Sequence, residues 1–259
     1  MKKAELKTYK KLSTEFYDLE LTDHPNTAKV LDFYMDYAIK ARGPILEPMC
    51  GTGRFLIPML QKGLEIEGFD ASSHMLNALE QKHAKISTLK APVWQQFVED
   101  FESKKQYKLI FIPFGSWGLI TNIGNSKKCL EKMYDNLAPD GKFVIEIETI
   151  TSLPEPCNIW CYGSHTRDDG SRLNISTFAS YNSQTQMFSS ICEYKSFKEN
   201  RLEVTESENF EQYLYRFDEM DQLLQDSGFT KFKKYIDYSK SPATDSKAPI
   251  IIYECTKQL

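Results

Sequence analysis

The stretch ILEPMCGTGRFLIPML, residues 45–60, decides the fold class. It runs from an apolar segment into Glu47 and then, after a turn, into apolar residues at helical spacing over 55–60. Between the two segments, Gly51 and Gly53 predict a tight turn whose missing side chains leave room for a ligand. A strand, a glycine turn and a helix in this order are typical of the unit that binds nucleotide-like ligands at the edge of a parallel sheet.

Strands and helices alternate around this stretch. Apolar residues at helical intervals predict helices over 26–41, 53–62, 72–84 and 126–137. Short apolar runs predict five strands over 44–49, 64–70, 93–98, 107–116 and 142–149. This alternation predicts an α/β fold with a doubly wound, Rossmann-like, mostly parallel sheet and right-handed connections.

The alternation stops after the fifth strand. Three β-prone stretches separated by turn residues predict an antiparallel insertion of three or four strands between 158 and 215. A helix at 218–229 and two strands that form a terminal hairpin complete the sheet as its sixth and seventh strands, at 231–239 and 249–257. We therefore divide the chain into a helical segment with an α/β core, the insertion, and a C-terminal completion of the core, at 1–150, 151–215 and 216–259.

Composition limits the classes of partner. The chain has 259 residues, of which 41% are hydrophobic and 26% charged, as in ordinary soluble proteins. Its net charge of −4 and pI of about 5.7 give no overall attraction to nucleic acid or to an anionic membrane. The N-terminus lacks the apolar stretch of a signal peptide, and no run reaches the roughly 18 apolar residues of a membrane span. We expect a cytoplasmic protein that binds neither nucleic acid nor membrane.

The 6 cysteines are scattered, and only Cys157 and Cys161 lie close together. A zinc site requires two such pairs, or a pair with nearby histidines, whereas here only His165 is near. The sequence predicts reduced thiols and no metal site.

Two ligands compete for the glycine turn. A dinucleotide fingerprint needs a third glycine where Leu56 stands, and it needs no acid at the end of the first strand. S-adenosylmethionine instead carries a positive sulfonium and ammonium, so a carboxylate such as Glu47 suits its aminoacyl end. Asp70, at the end of the second strand, suits either ligand, because both present a ribose diol to a carboxylate.

Over most of its length the chain resembles the class I S-adenosylmethionine-dependent methyltransferases. The resemblance is carried by ILEPMCGTGRF, EGFDASSHMLNAL, FVEDF, YKLIFIPFGSWGLI and LAPDGKFVIEIE. It implies that S-adenosylmethionine is the cofactor. It also implies roles around the methionine moiety for Glu47, Gly51 and Gly53, and at the ribose hydroxyls for Asp70. Adenine contacts would come from Ala71, Met75, Asp100 and the Phe101 backbone. One departure is Met49, which replaces the first glycine of the family motif.

Simpler interpretations of these residues stay open. The glycines suit any tight strand-to-helix turn, and Asp70 suits a helix N-cap. Met75 is as typical of a core as of an adenine site, and Asp100 is typical of a solvated loop.

The segment after strand four bears on the methyl acceptor. Its IPFG tetrapeptide, residues 112–115, lacks the Asn/Asp-Pro-Pro-Tyr pattern of methyltransferases that act on base or glutamine amines. The antiparallel insertion resembles the roof of small-molecule methyltransferases, such as those acting on glycine, sarcosine or aminosugars. The resemblance implies N- or O-methylation of a small polar metabolite.

No His, Lys or Glu stands out as a base, so catalysis by proximity is expected. Tyr17, in STEFYDLEL, is the candidate catalytic residue that shapes the site, although an anchoring role for this tyrosine is equally compatible. Two alternatives remain for the whole chain, namely a protein that binds the cofactor without methyl transfer, and a methyltransferase acting on nucleic acid or protein. A roof that encloses a pocket distinguishes the leading hypothesis from both.

Overall fold

The computed structural model describes residues 6–22, 27–153, 157–244 and 246–258. Its main sheet contains seven strands, in the spatial order β10-β11-β5-β4-β1-β2-β3. These strands are β1 (Ile45–Pro48), β2 (Ile66–Asp70), β3 (Val93–Gln95), β4 (Tyr107–Ile112), β5 (Leu137–Glu148), β10 (Phe232–Tyr235) and β11 (Ile250–Thr256). The first five pair in parallel, whereas β11 is antiparallel to both β5 and β10. The predicted fold class is confirmed.

Six α-helices are present among the described residues. They are α1 (Lys11–Thr22), α2 (Thr27–Ala41), α3 (Leu56–Gln61), α4 (Ser73–His83), α5 (Ile123–Asp135) and α6 (Glu219–Asp226). None of them is long and apolar enough to cross a membrane. The Ser72 side chain accepts a hydrogen bond from the Met75 backbone N–H at 3.2 Å and so caps α4.

Both faces of the main sheet are buried because its inner strands are apolar on both sides. Alternate residues of β4 enter different cores: Leu109 and Phe111 lie in a core shared with α2, α3 and α4. Ile110 and Ile112 lie in a second core shared with α5 and α6. The predicted strand over 107–116 ends at Ile112, since Phe114 and Gly115 both take positive φ values there.

A second, antiparallel sheet forms the insertion. Its four strands pair in chain order as β6 (Trp160–Thr166), β7 (Arg172–Asn182), β8 (Met187–Lys198) and β9 (Arg201–Tyr213). One face packs on α1 through a small cluster in which Leu12 contacts residues of β7 and β8. The division at 150/151 and 215/216 remains a prediction about domains. In the structure the second sheet occupies Trp160–Tyr213, and β9 leads back to the main sheet through the Thr149–Tyr215 bridge.

Candidate active site

A cavity of about 270 Å³ lies at the carboxyl ends of the parallel strands. Its volume is just below the range of about 300–1,000 Å³ typical of ligand sites. The core contributes Met49, Gly51, Asp70, Ala71, Met75, Gln96, Phe97, Val98, Glu99, Phe114, Gly115, Ser116, Leu119, Ile120 and Glu148. The N-terminal segment contributes Leu6, Thr8, Tyr9 and Tyr17, and the inserted sheet contributes Phe210, Glu211 and Gln212. The insertion therefore forms part of the wall.

The turn after β1 is tight because three of its residues take positive φ. Gly51 has φ +53° and Gly53 has φ +81°, and Met49 adopts +58° despite its side chain. A Cβ on Gly51 would meet nothing within 4 Å, which leaves this position open toward the cavity. A Cβ on Gly53 would lie 2.7 Å from Leu79 Cγ, so this glycine admits the close packing of α4. The glycine missing at Met49 is thus compensated by backbone geometry.

Asp70 joins the glycine turn to the second strand. Its carboxylate accepts hydrogen bonds from the backbone N–H of Gly51 at 2.9 Å and of Ser72 at 2.8 Å. Burial raises the pKa of Asp70, and these backbone donors oppose the increase. Because Ser72 caps α4, Asp70 is not the capping residue, and its carboxylate lies in the cavity wall.

Buried polar atoms without a hydrogen-bond partner are rare in proteins. Among the described residues such atoms are Glu47 Oε2 and the Nε, Nη1 and Nη2 atoms of Arg54. Glu47 is only 2% exposed, and burial raises its pKa well above its usual range. The guanidinium carbon of Arg54 lies 4.2 Å from the ring centre of Phe114, a residue of the cavity wall. The unpaired oxygen of Glu47 and the unpaired guanidinium of Arg54 match the ammonium and the carboxylate of an α-amino acid moiety. The residues present therefore fit the aminoacyl end of S-adenosylmethionine.

Arg54 also influences the predicted catalytic residue. Burial raises the pKa of Tyr17, while the positive charge of Arg54 lowers it. The balance favours a neutral hydroxyl at neutral pH. Tyr17 is therefore suited to contact and shape rather than to proton removal.

The N-terminal segment is held over the cavity by the inserted sheet. Glu208 of β9 is 3% exposed, and its carboxylate accepts from the backbone N–H of Tyr9 at 2.8 Å and of Lys10 at 2.9 Å. The Ser13 hydroxyl donates to the same carboxylate at 2.8 Å. Asp18 of α1 accepts from Thr52 Oγ1 in the glycine turn at 2.5 Å. The segment thus connects the roof to the cofactor side of the core.

Replacing Glu208 with glutamine is expected to lower the free energy of unfolding by about 1.5–3 kcal/mol, as for hydrogen bonds to a charged group. The glutamine amide would also place a donor against N–H groups. Chemical denaturation and limited proteolysis within residues 6–18 would measure the effect. Glu203→Gln, at an exposed position of the same strand, is the matched control. Equal stability of both variants would contradict the anchoring role.

The structure brings most predicted site residues together. Gly51, Asp70, Ala71, Met75 and Tyr17 line the cavity. Two lie behind its wall, since Glu47 is buried beneath the turn and Gly53 packs on α4.

The predicted adenine contacts of Asp100 and the Phe101 backbone stay predictions. Asp100 is exposed and is not among the residues that line the cavity, and the Phe101 side chain stacks on Phe69 in the core with ring centres 5.0 Å apart. Val98 and Glu99, in the preceding 3₁₀ turn, do line the cavity. This pair adds two candidates for the adenine contacts.

Sequence reasoning missed Tyr9, Arg54 and Glu148. Arg54 directly follows the glycine turn, and this position was a usable signal. Tyr9 and Glu148 had no comparable local signal, because contacts distant in sequence place them in the wall.

The fold agrees with comparisons to known proteins. A family model described as methyltransferase domain matches residues 22–234. The chain belongs to the methyltransferase domain family. This membership confirms the predicted resemblance and the prediction of an enzyme that uses S-adenosylmethionine. No curated protein matches the sequence significantly.

Solved methyltransferases share the fold at low sequence identity. An S-adenosylmethionine-dependent methyltransferase from Clostridium acetobutylicum is 17% identical, with a TM-score of 0.78 over 95% of this chain and 98% of its own. A sugar N-methyltransferase from a Streptoalloteichus species is 15% identical, with a TM-score of 0.74 over 94% and 93%. An amino pentose methyltransferase from Micromonospora echinaspora is 13% identical, with a TM-score of 0.65 over 98% and 100%.

Proposed function

We propose that this methyltransferase transfers the methyl group of S-adenosylmethionine to nitrogen or oxygen of a small polar metabolite. The observation that carries the proposal is the shared cavity, whose wall comes from the core, the N-terminal segment and the inserted sheet. A wall with three such contributors supports a small acceptor rather than a duplex or a folded protein. The sugar and amino pentose methyltransferases among the structural neighbours support a polar acceptor.

The described residues divide into two groups around this cavity. Toward the cofactor, Glu47 would hold the ammonium group, Arg54 the carboxylate and Asp70 the ribose diol, while Ala71 and Met75 would pack on adenine. When bound, the cofactor supplies a methyl group on a sulfonium, which is an activated leaving group. The remaining tasks of the chain are to align the acceptor and to exclude water.

Aromatic residues of the N-terminal segment and of the inserted sheet would align the acceptor. Tyr17 and Tyr9 approach edge to face with ring centres 6.5 Å apart, and Tyr9 contacts Phe210 of β9 in the same way at 5.0 Å. These rings line the cavity and are fixed through Glu208 and Asp18. A rigid aromatic wall restricts the acceptor to a few orientations, which is how proximity lowers the barrier.

Incubation with methyl-labelled S-adenosylmethionine and separate pools of small metabolites, RNA and cell protein tests the proposal. We expect label in the small-metabolite pool. Label only in RNA or protein would contradict the proposed acceptor class. Binding of the cofactor without label in any pool would contradict the transferase proposal.

A further inference from the structure

Glu148 ends β5 with its side chain in the cavity wall, opposite the inserted sheet. Its Oε2 accepts hydrogen bonds from Gln212 Nε2 of β9 at 3.1 Å and from the Ser152 hydroxyl at 3.3 Å. Within the described part of the chain, Oε1 receives no hydrogen bond from a side chain. The carboxylate is thus oriented through one oxygen, while the other is left for a ligand.

The loop after β4 is shaped to accommodate this carboxylate. Gly115 takes φ +60°, and a Cβ on it would lie 2.7 Å from Glu148 Cγ and 3.0 Å from Oε1. Any other residue would push the carboxylate away. Gly115 ends the IPFG tetrapeptide, at the position where the base and glutamine methyltransferases have tyrosine. The departure from that pattern therefore creates the space that Glu148 fills.

The charged residues of the cavity wall are all acidic. The cavity wall carries Asp70, Glu99, Glu148 and Glu211, but no Lys, Arg or His among the residues described. Glu148 forms no salt bridge in this part of the chain either. A half-buried carboxylate without a cation favours a ligand that supplies one.

We propose that Glu148 binds the protonated amine of the methyl acceptor and takes up its proton, so that the acceptor is an amine rather than an alcohol. This inference rests on the proposed function and specifies its substrate class. Asp70 and Glu99 lie on the proposed cofactor side of the cavity, whereas Glu148 accepts a hydrogen bond from the inserted sheet. Among these carboxylates it is the one fixed where the roof meets the core.

The acceptor ammonium gives one proton to Glu148, which forms the neutral carboxylic acid and a neutral amine. The amine lone pair attacks the methyl carbon of the cofactor, so that a nitrogen–carbon bond forms and the carbon–sulfur bond breaks. The electron pair of that bond stays on sulfur, and the product leaves as a methylammonium ion. Glu148 returns its proton to solvent before the next turnover.

The surroundings of Glu148 suit proton uptake. Burial raises its pKa, and the hydrogen bonds from Gln212 and Ser152 oppose the increase. Three titratable groups face it, namely Glu146 on the same strand, Tyr9 on the N-terminal segment and Tyr238 near the end of β10. Burial raises the pKa of Glu146 to about 7, and none of the three groups is a cation. Because the pKa of Glu148 is raised, it lies closer to the pKa of an amine, and this eases proton transfer from the acceptor. The transfer rate should fall as pH drops below the pKa of Glu148, where the residue is already protonated.

The test uses the full chain, labelled S-adenosylmethionine and a small-metabolite pool. Half of the pool is treated with a reagent that acylates amines selectively in water. We expect wild-type protein to label the untreated pool and to lose the signal after acylation. Glu148→Gln should label the untreated pool about 100-fold more slowly, as for loss of a general base. The acidic limb of its pH profile should also move from the pKa of Glu148 to the higher pKa of the acceptor amine, because the ammonium then has no carboxylate to take its proton. Cofactor affinity by calorimetry should stay within about twofold of wild type, because the proposal assigns Glu148 to the acceptor and not to the cofactor.

Two further variants complete the design. Glu148→Asp keeps a carboxylate and should recover part of the rate with its acidic limb, which a purely structural role would not produce. Glu131→Gln, on the exposed side of α5, should behave as wild type.

Equal labelling of the acylated pool would overturn the amine acceptor, and a wild-type rate in Glu148→Gln would overturn the role of this residue. Absence of label from every pool with wild-type protein would instead overturn the proposed function. Should Glu148→Gln lose cofactor binding or unfold, the Glu148→Asp pH profile decides, and a profile without an acidic limb would reject the proposal.

Discussion

Asp70→Asn is expected to weaken S-adenosylmethionine binding by about 1.5–3 kcal/mol, or roughly 10- to 150-fold in Kd. The carboxylate holds the Gly51 N–H at 2.9 Å and lies in the wall where the ribose diol would bind. Asparagine keeps one oxygen for the backbone but loses the charge that strengthens hydrogen bonds to hydroxyl groups. Calorimetry with S-adenosylmethionine and S-adenosylhomocysteine measures the effect, and both should lose affinity because both carry the ribose.

The same substitution separates a binding role from a structural one. Asp70 also accepts from the Ser72 N–H at 2.8 Å, so the free energy of unfolding should fall by about 1 kcal/mol. Asp100→Asn is the matched comparison, since Asp100 is exposed outside the wall, and its Kd should change less than about twofold. If Asp70→Asn reduced stability but left Kd unchanged, Asp70 would serve the turn alone. A large effect at Asp100 would support its predicted adenine contact.

The main sheet was predictable because its signals are local. Each buried strand is a short apolar run, and each connection carries glycine, proline or a helix cap in sequence. Parallel strands bring their carboxyl ends to one edge of the sheet, so Glu47, Gly51 and Asp70 had to lie near each other once the topology was known. The cofactor side of the site therefore follows from pattern and topology together.

The acceptor side follows from contacts between distant segments. Glu208 and Tyr9 are 199 residues apart, and no local pattern pairs them. Glu148 and Gln212 are 64 residues apart, in different sheets. Val98 and Glu99 were not predicted for another reason: a motif match does not show that a 3₁₀ turn over Val98–Asp100 brings them into the cavity wall.

Arg54→Met should weaken cofactor binding strongly, but it should not destabilise the protein without cofactor. The three guanidinium nitrogens are buried and have no hydrogen-bond partner, while Phe114 supports the charge at 4.2 Å. Burial lowers the pKa of Arg54, and the nearby Tyr17, Tyr238 and Glu146 oppose this without hydrogen-bonding to it. Methionine fills a similar volume without a buried charge. The free energy of unfolding without cofactor should therefore be unchanged or higher.

Cofactor binding should respond in the opposite direction. If Arg54 holds the carboxylate of S-adenosylmethionine, Arg54→Met loses a charge-assisted pair worth about 1.5–3 kcal/mol, or roughly 10- to 150-fold in Kd. Decarboxylated S-adenosylmethionine lacks that carboxylate and provides the internal comparison. Wild-type protein should bind it more weakly than the intact cofactor, whereas Arg54→Met should bind the two about equally. Arg42→Met, at an exposed site, is the matched control and should keep the wild-type preference.

The combination of measurements distinguishes a binding residue from a structural one. A structural arginine would lower both the stability and the affinity for the two ligands by similar factors when removed. A cofactor-binding arginine instead makes the ligand-free protein less stable than it would otherwise be, because its charge is desolvated without a partner. If Arg54→Met retained the preference for the intact cofactor, Arg54 would not contact the carboxylate, and the unpaired guanidinium would need another anion, the methyl acceptor being the next to test.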